Sequence, residues 1–192
     1  MKTIEIQGTK RTDITKQEVK QLRNNEMVPC VLYGGEEQVH FSAPLSAFKG
    51  LIYTPDVHMV KLSVEGKEYL CAVQDVQYHP VTDIIIHADF LQVFDNKPVT
   101  MSIPVKFTGA SEGVKMGGKL VTKYRRLKVK ALPAHLPDFI SVDISALKIG
   151  GGIRVRDLNV EGVTFLESPA NVIVGVNMTR NVSADAAADA KK

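Results

Sequence analysis

The chain lacks most of what marks a catalyst, a secreted scaffold or a membrane protein. Its 192 residues include only two cysteines, Cys30 and Cys71. Both sit inside apolar, strand-like runs, so buried free thiols in a cytoplasmic protein are expected and a disulfide framework is not. No apolar run approaches the roughly 20 residues that a membrane helix needs, and no membrane partner is expected. Lys2 leads straight into the alternating TIEIQG, with nothing of a signal peptide about it. No glycine loop stands before a helix to cradle a phosphate: Gly150, Gly151 and Gly152 lead into the strand-like IRVRDL instead. No G-x-S-x-G occurs, and no serine and histidine show nucleophile–base spacing. These absences disfavour an enzyme and imply no cofactor. No internal repeat is evident.

What is present is mostly strand. Composition is 44% hydrophobic and 23% charged, ordinary for a globular chain. Short alternating or apolar runs predict strands at 2–8, 28–33, 38–42, 58–65, 67–78, 84–94, 99–107, 119–132, 138–144, 153–160, 162–166 and 171–178. Glycine and proline punctuate them at 34–35, 65–67, 96–98, 117–118 and 150–152. Two helices are predicted. Thr15 with Glu18 three residues later reads as a capping box, opening a helix that runs to about Asn25. A second begins near Pro44, with Leu45, Phe48 and Leu51 in an apolar stripe. The fold class is therefore mainly β, of α+β type.

Charge divides the chain. The net charge is +3, but residues 1–94 hold 9 Lys/Arg against 12 Asp/Glu, and residues 95–180 hold 13 against 7. With the punctuation at Asp95-Asn96-Lys97-Pro98, this predicts domains at 1–94 and 95–180. The tail 181–192, NVSADAAADAKK, is too polar to offset its ordering entropy and is expected to be mobile. On charge alone the second half is the better nucleic-acid candidate.

The densest chemistry lies in QDVQYHPVTDIIIHADF, residues 74–90. It places His79, Asp83, His87 and Asp89 within eleven residues. Strict alternation puts Ile85, His87 and Asp89 on one face and Ile84, Ile86 and Ala88 on the other. A metal-dependent enzyme using His79, His87 and Asp89 is one reading. It is disfavoured, because zinc wants three or four converging ligands and a stiff β-branched strand cannot wrap an ion. The other reading is a rigid surface that meets a partner. Lys16, Lys20 and Arg23 fall at i, i+4 and i+7 of the first helix, on one stripe. The bland reading of that stripe is a solvated face. Tyr33, before Gly34, is either an edge-of-core aromatic or a ring that lies against a nucleotide. In 121–132, Arg126, Lys128 and Lys130 alternate with Leu127, Val129 and Ala131. That is a soluble sandwich strand or a phosphate-tracking patch.

In their order, RTDITKQEVKQLRNNEMVPCVLYGG and then QDVQYHPVTDIIIHADF resemble the bacterial large-subunit ribosomal proteins numbered twenty-five, which bind 5S rRNA. IPVKFTGASEGVKMGGKL, LPDFISVDISALKIGGGIRVRDL and EGVTFLESPANVIVGV resemble the C-terminal domain of their long, CTC-type form. The match spans residues 3 to 178. It implies a small β-barrel with a few helices followed by a second all-β domain. It also implies a non-catalytic structural role in the large ribosomal subunit, in the cytoplasm, as one copy within the ribosome. Carried over by position, the RNA-facing residues are Arg11, Lys16, Lys20, Arg23, Tyr33, Gln74, His87 and Asp89. Tyr78 stands where the family commonly has an arginine, so it is expected to stack or hydrogen-bond instead. Thr15 and Gln17 replace usual glycines, and Lys20 and Gln21 replace usual arginines. The C-terminal domain is expected to reach neighbouring ribosomal proteins or rRNA through Arg126, Lys128 and Lys130. A protein-interaction module acting off the ribosome, in stress, is the alternative from another class.

Overall fold

In a computed structural model of the chain, residues 2–35 and 37–179 are described. The expectation for the tail 181–192 lies outside them. The chain divides into two compact units. One runs to Met101 and also takes Leu132–Asp138; the other comprises Ser102–Ala131 and Phe139 onward.

The first unit is a closed six-stranded barrel. Its strands are β1 (Lys2–Lys10), β2 (Met27–Tyr33), β3 (Val39–Pro44), β4 (His58–Val64), β5 (Lys67–Tyr78) and β6 (Ile85–Gln92). Around the barrel the order is β1-β3-β2-β6-β5-β4. β1 lies parallel to β4 and β2 parallel to β6; the other pairs are antiparallel. Closure leaves no sheet edge to protect. Inward residues alternate along the strands, so Ile6, Cys30, Leu32, Phe41, Val60, Leu62, Cys71, Ala88 and Phe90 are all buried. Phe90 is central, with ring centroids 5.6 Å from Phe41 and 6.3 Å from Phe48. Full burial of such a side chain contributes roughly 1.5–3 kcal/mol. β1 passes close over this cluster at Gly8, where a Cβ would stand 2.6 Å from Phe41 Cδ2.

The first helix, α1 (Lys16–Asn24), forms as its cap predicts. Thr15 Oγ1 accepts a hydrogen bond from the Glu18 N–H at 3.3 Å. The segment after Pro44 is a 3-10 turn, Leu45–Phe48, running into the short helix α2 (Lys49–Ile52). Its apolar stripe buries Phe48 and Leu51.

The second unit is also β. It is built from β7 (Val99–Thr108), β8 (Lys119–Thr122), β9 (Arg126–Ala131), β10 (Ile140–Asp143), β11 (Gly152–Arg154), β12 (Val163–Phe165) and β13 (Val172–Asn177). One sheet runs β10-β7-β9-β12 and another β11-β13-β8. The first three residues of β7 lie in the barrel unit. Ile103, Leu127, Val129, Ile173, Val174 and Val176 are fully buried. Three details differ from the sequence reading. The run 119–132 is two strands in two sheets, broken where the Lys123 and Tyr124 N–H groups both turn to the Ile173 carbonyl, at 2.8 and 3.2 Å. The run 153–160 leaves the sheet after Arg154 for a 3-10 turn, Val155–Asp157, with the Asp157 carboxylate accepting from the Arg154 N–H at 2.8 Å. A one-turn helix, α3 (Glu112–Lys115), stands where no helix was predicted.

Candidate nucleic-acid interface

The β5–β6 ladder is not regular, and its irregularities build the surface. Val73 pairs with Phe90, but the next pair is Asp75 with Asp89, so Gln74 is an extra residue on β5. Gln77 pairs with His87, but the next pair is Tyr78 with Ile85, so Ile86 is an extra residue on β6. These are two β-bulges. Val73 and Val76 both pack inward, so the two residues between them, Gln74 and Asp75, are both left exposed. Ile85 and Ala88 are both buried, so Ile86 and His87 both face outward. Strict alternation grouped Ile85 with His87 and Asp89. The second bulge overturns that: Ile85 is in the core, 2% exposed, while His87 and Asp89 share the outer face.

The outer face therefore collects Gln74, Asp75, Gln77, His87 and Asp89. Cross-strand partners share a face, so Asp75 stands opposite Asp89 and Gln77 opposite His87. Like charges directly opposite each other are unfavourable in a sheet. His87 Nδ1 lies 2.8 Å from Asp89 Oδ1, an ion-pair distance. The approach is off the line of a ring N–H, so Nδ1 makes no aligned hydrogen bond. Asp75 Oδ1 accepts from the Val76 N–H at 2.9 Å.

Tyr33 borders this group from β2. Val31 pairs with Asp89 and Tyr33 with Leu91 in the parallel register, so Tyr33 follows Asp89 along the same outer face. Burial raises its phenol pKa, and the charges of Asp89 and Asp75 raise it further. The chain turns sharply away at Gly34, which holds φ +96 and whose Cβ would meet Leu91 Cδ1 at 2.7 Å. Only glycine fits there, so the position of Tyr33 depends on it.

Helix α1 flanks the ladder and is tied at both ends. Arg11, expected to face a partner, is instead buried: its side chain is 6% exposed, with Nε 3.0 Å from Glu18 Oε1. Its Nη2 donates to Glu18 Oε2 at 3.3 Å and to the Asp13 carbonyl at 3.2 Å. The Arg11 hydrogen bond is the main cause that holds the Glu18 carboxyl below its ordinary range. At the other end Arg23 donates from Nη2 and Nε to the Ile86 carbonyl, at 3.0 and 3.3 Å. Ile86 is the bulged residue, so the guanidinium occupies a carbonyl at the point where the ladder breaks. Lys16 and Lys20 remain exposed, and no ion pair of either is found among the described residues. With Ile14, Val19, Arg23 and Asn24 they line an open concavity of about 600 Å³.

Other candidates fall away from this face. Tyr78 pairs with buried Ile85, which puts it on the core side of the ladder at the barrel end, 43% exposed; it is not brought beside His87 and Asp89. His79 is a turn residue. Its Nδ1 accepts from the N–H groups of Thr82 and Val81, at 3.3 and 3.4 Å, which caps a loop whose Asp83 takes φ 53. Among the described residues no three His, Cys, Asp or Glu side chains converge on a metal position. Both cysteines are free and buried, and burial pushes the Cys71 thiol up to about 12 and raises that of Cys30 as well. Neither is a nucleophile or an ion ligand. Asp75 and Gln77 were not singled out from the sequence, where nothing local marks a bulge. No described helix is long and apolar enough to cross a membrane.

The barrel presents mixed polar side chains beside a cation-bearing helix, and by sequence the chain falls in a class of ribosomal proteins. Residues 6–90 match the Ribosomal L25p family, and residues 98–180 match the domain described as Ribosomal protein TL5, C-terminal domain. The chain is 47% identical to the large ribosomal subunit protein bL25 of Amoebophilus asiaticus, over 97% of this chain and 95% of that one. It is 45% identical to the protein of the same name from Cytophaga hutchinsonii, over the full length of both. The chain belongs to the ribosomal L25p family, with the TL5-type C-terminal domain following the barrel.

Proposed function

We propose that this chain is a structural, non-catalytic constituent of the large ribosomal subunit whose first domain, residues 1–94, binds 5S rRNA. The reading is supported most by the paired bulges. They turn Gln74, Asp75, Gln77, His87 and Asp89 outward together on one stiff ribbon, with Tyr33 beside them. RNA helices offer base edges and 2′-hydroxyls in a wide, shallow minor groove, which such a ribbon can meet without entering a deep cleft. Lys16, Lys20 and the charge of Arg23 engage phosphates along α1. Arg11 acts through Glu18, by fixing the start of the helix that carries them. Two opposed carboxylates beside phosphates cost energy unless they accept from base amino groups, so Asp75 and Asp89 select a base pattern and reject plain backbone. A role in the ribosome supports a cytoplasmic location for the protein, and the reading calls for no cofactor. The test is a gel shift of 5S rRNA by the full chain, with sedimentation of cell extract. A chain that neither shifts 5S rRNA nor travels with large subunits would sink the reading.

A further inference from the structure

We infer that the second unit carries its own RNA-binding surface, the solvent face of the β10-β7-β9-β12 sheet, and that it grips the backbone of an RNA double helix without reading its sequence. Between Glu112 and Asp138 the chain has seven Lys/Arg and no Asp or Glu. β9 sorts three of these with complete regularity: Arg126, Lys128 and Lys130 are exposed, while Leu127, Val129 and Ala131 are buried. Alternate strand residues stand about 6.8 Å apart, so the three cations form a straight row. The neighbouring β7 adds exposed Lys106 on its solvent side, over the Phe139 ring at 4.3 Å. The carboxylate of this sheet, Asp143, lies on the edge strand β10 beyond β7, and it is engaged by the Ser145 N–H and O–H at 2.9 and 2.6 Å. β9 itself contains no Asp or Glu.

A row of cations on a flat sheet fits an extended polyanion better than a small anion, which would engage one or two of them. A nucleic-acid duplex carries a charge about every 1.7 Å of axis and can satisfy every member. No aromatic side chain interrupts the row to stack on a base, and no Asn or Gln stands in it to read an edge. Contacts of this kind position a backbone and carry no sequence information. The inference is independent of the barrel reading, because it rests on a different unit.

The test uses the full chain, two short RNA duplexes of unrelated sequence, and binding measured across a salt series. The parent should bind both duplexes equally. Lys128→Ser with Lys130→Ser should weaken binding to both about tenfold at low salt, and should lower the slope of log affinity against log salt by up to about two. Lys128→Arg with Lys130→Arg should restore both values, which guards against a folding artefact. Lys16→Ser with Lys20→Ser, in the barrel, should leave most duplex binding in place and weaken 5S rRNA binding. Duplex binding unaffected by the serine pair would overturn the inference. So would strong preference for one duplex, or binding to an acidic protein such as polyglutamate with none to RNA. Failure of 5S rRNA binding alone would count against the barrel reading and leave this one standing.

Discussion

The barrel and the second unit solve a surface problem in opposite ways. Residues 1–94 are net acidic by their Lys/Arg and Asp/Glu counts, whereas residues 95–180 carry nearly twice as many cations as acids. The barrel breaks its ladder twice, so that pairs of adjacent residues face out and polar groups of both kinds gather on one ribbon. β9 in the second unit alternates without a break and exposes a uniform row of charge. Irregular register yields a varied, directional surface that can discriminate. Regular register yields a repetitive one that can only attract. Net charge therefore ranks the two regions by affinity for a polyanion and says nothing about which one recognises a particular partner.

The comparison can be broken most severely at the barrel core. Phe90→Ala removes the ring packed between Phe41 and Phe48 and should cost about 3–5 kcal/mol in denaturant unfolding, abolishing 5S rRNA binding with the fold. It is sharpened next at the ribbon itself. Asp89→Asn keeps the shape but exchanges an anionic acceptor for an amide. It should weaken 5S rRNA binding by about 1–3 kcal/mol while leaving the salt slope and melting temperature nearly unchanged. Unchanged affinity would remove Asp89 from the interface. A fall in melting temperature that matched the affinity loss would make it a structural residue.

The helix stripe should respond differently. Lys16→Ala or Lys20→Ala should each reduce the salt slope by up to about one unit with no change in melting temperature. If neither slope moves, the stripe is only a solvated face. Arg11 and Glu18 offer a pH test. The Glu18 carboxyl is held below its ordinary 4.5, first by the Arg11 hydrogen bond. A depressed folded-state value contributes stability above the unfolded value, and that contribution is lost as pH falls through the folded one. Glu18→Gln should thus melt lower than the parent at pH 7, and the difference should shrink as the pH drops below 4.5. A constant difference across the acid range would show that the pair contributes nothing through charge. The smallest effect concerns Tyr33, whose phenol is raised by burial and then by Asp89 and Asp75. Asp89→Asn should lower its ultraviolet titration midpoint only part of the way toward an ordinary tyrosine, because burial remains.

Much of this molecule was already set out in the order of its residues. The alternation of apolar side chains determined that it is mainly β, and the Thr15 cap determined where α1 begins. The spacing of Leu127, Val129 and Ala131 determined which side of β9 is cationic. The order of its short motifs determined its family. Each of these is local, a matter of side-chain size, charge and period along one segment. Tertiary structure alone decided the rest. A bulge is a mismatch between two strands, so no single strand can announce that Gln74 and Ile86 are extra or that Asp75 faces Asp89. Whether a cation is free also depends on what folds against it. Arg11 looked like Lys16 in the sequence and is buried on Glu18, because a guanidinium that reaches a carboxylate within the fold no longer faces solvent, while Lys16 meets no such partner among the described residues.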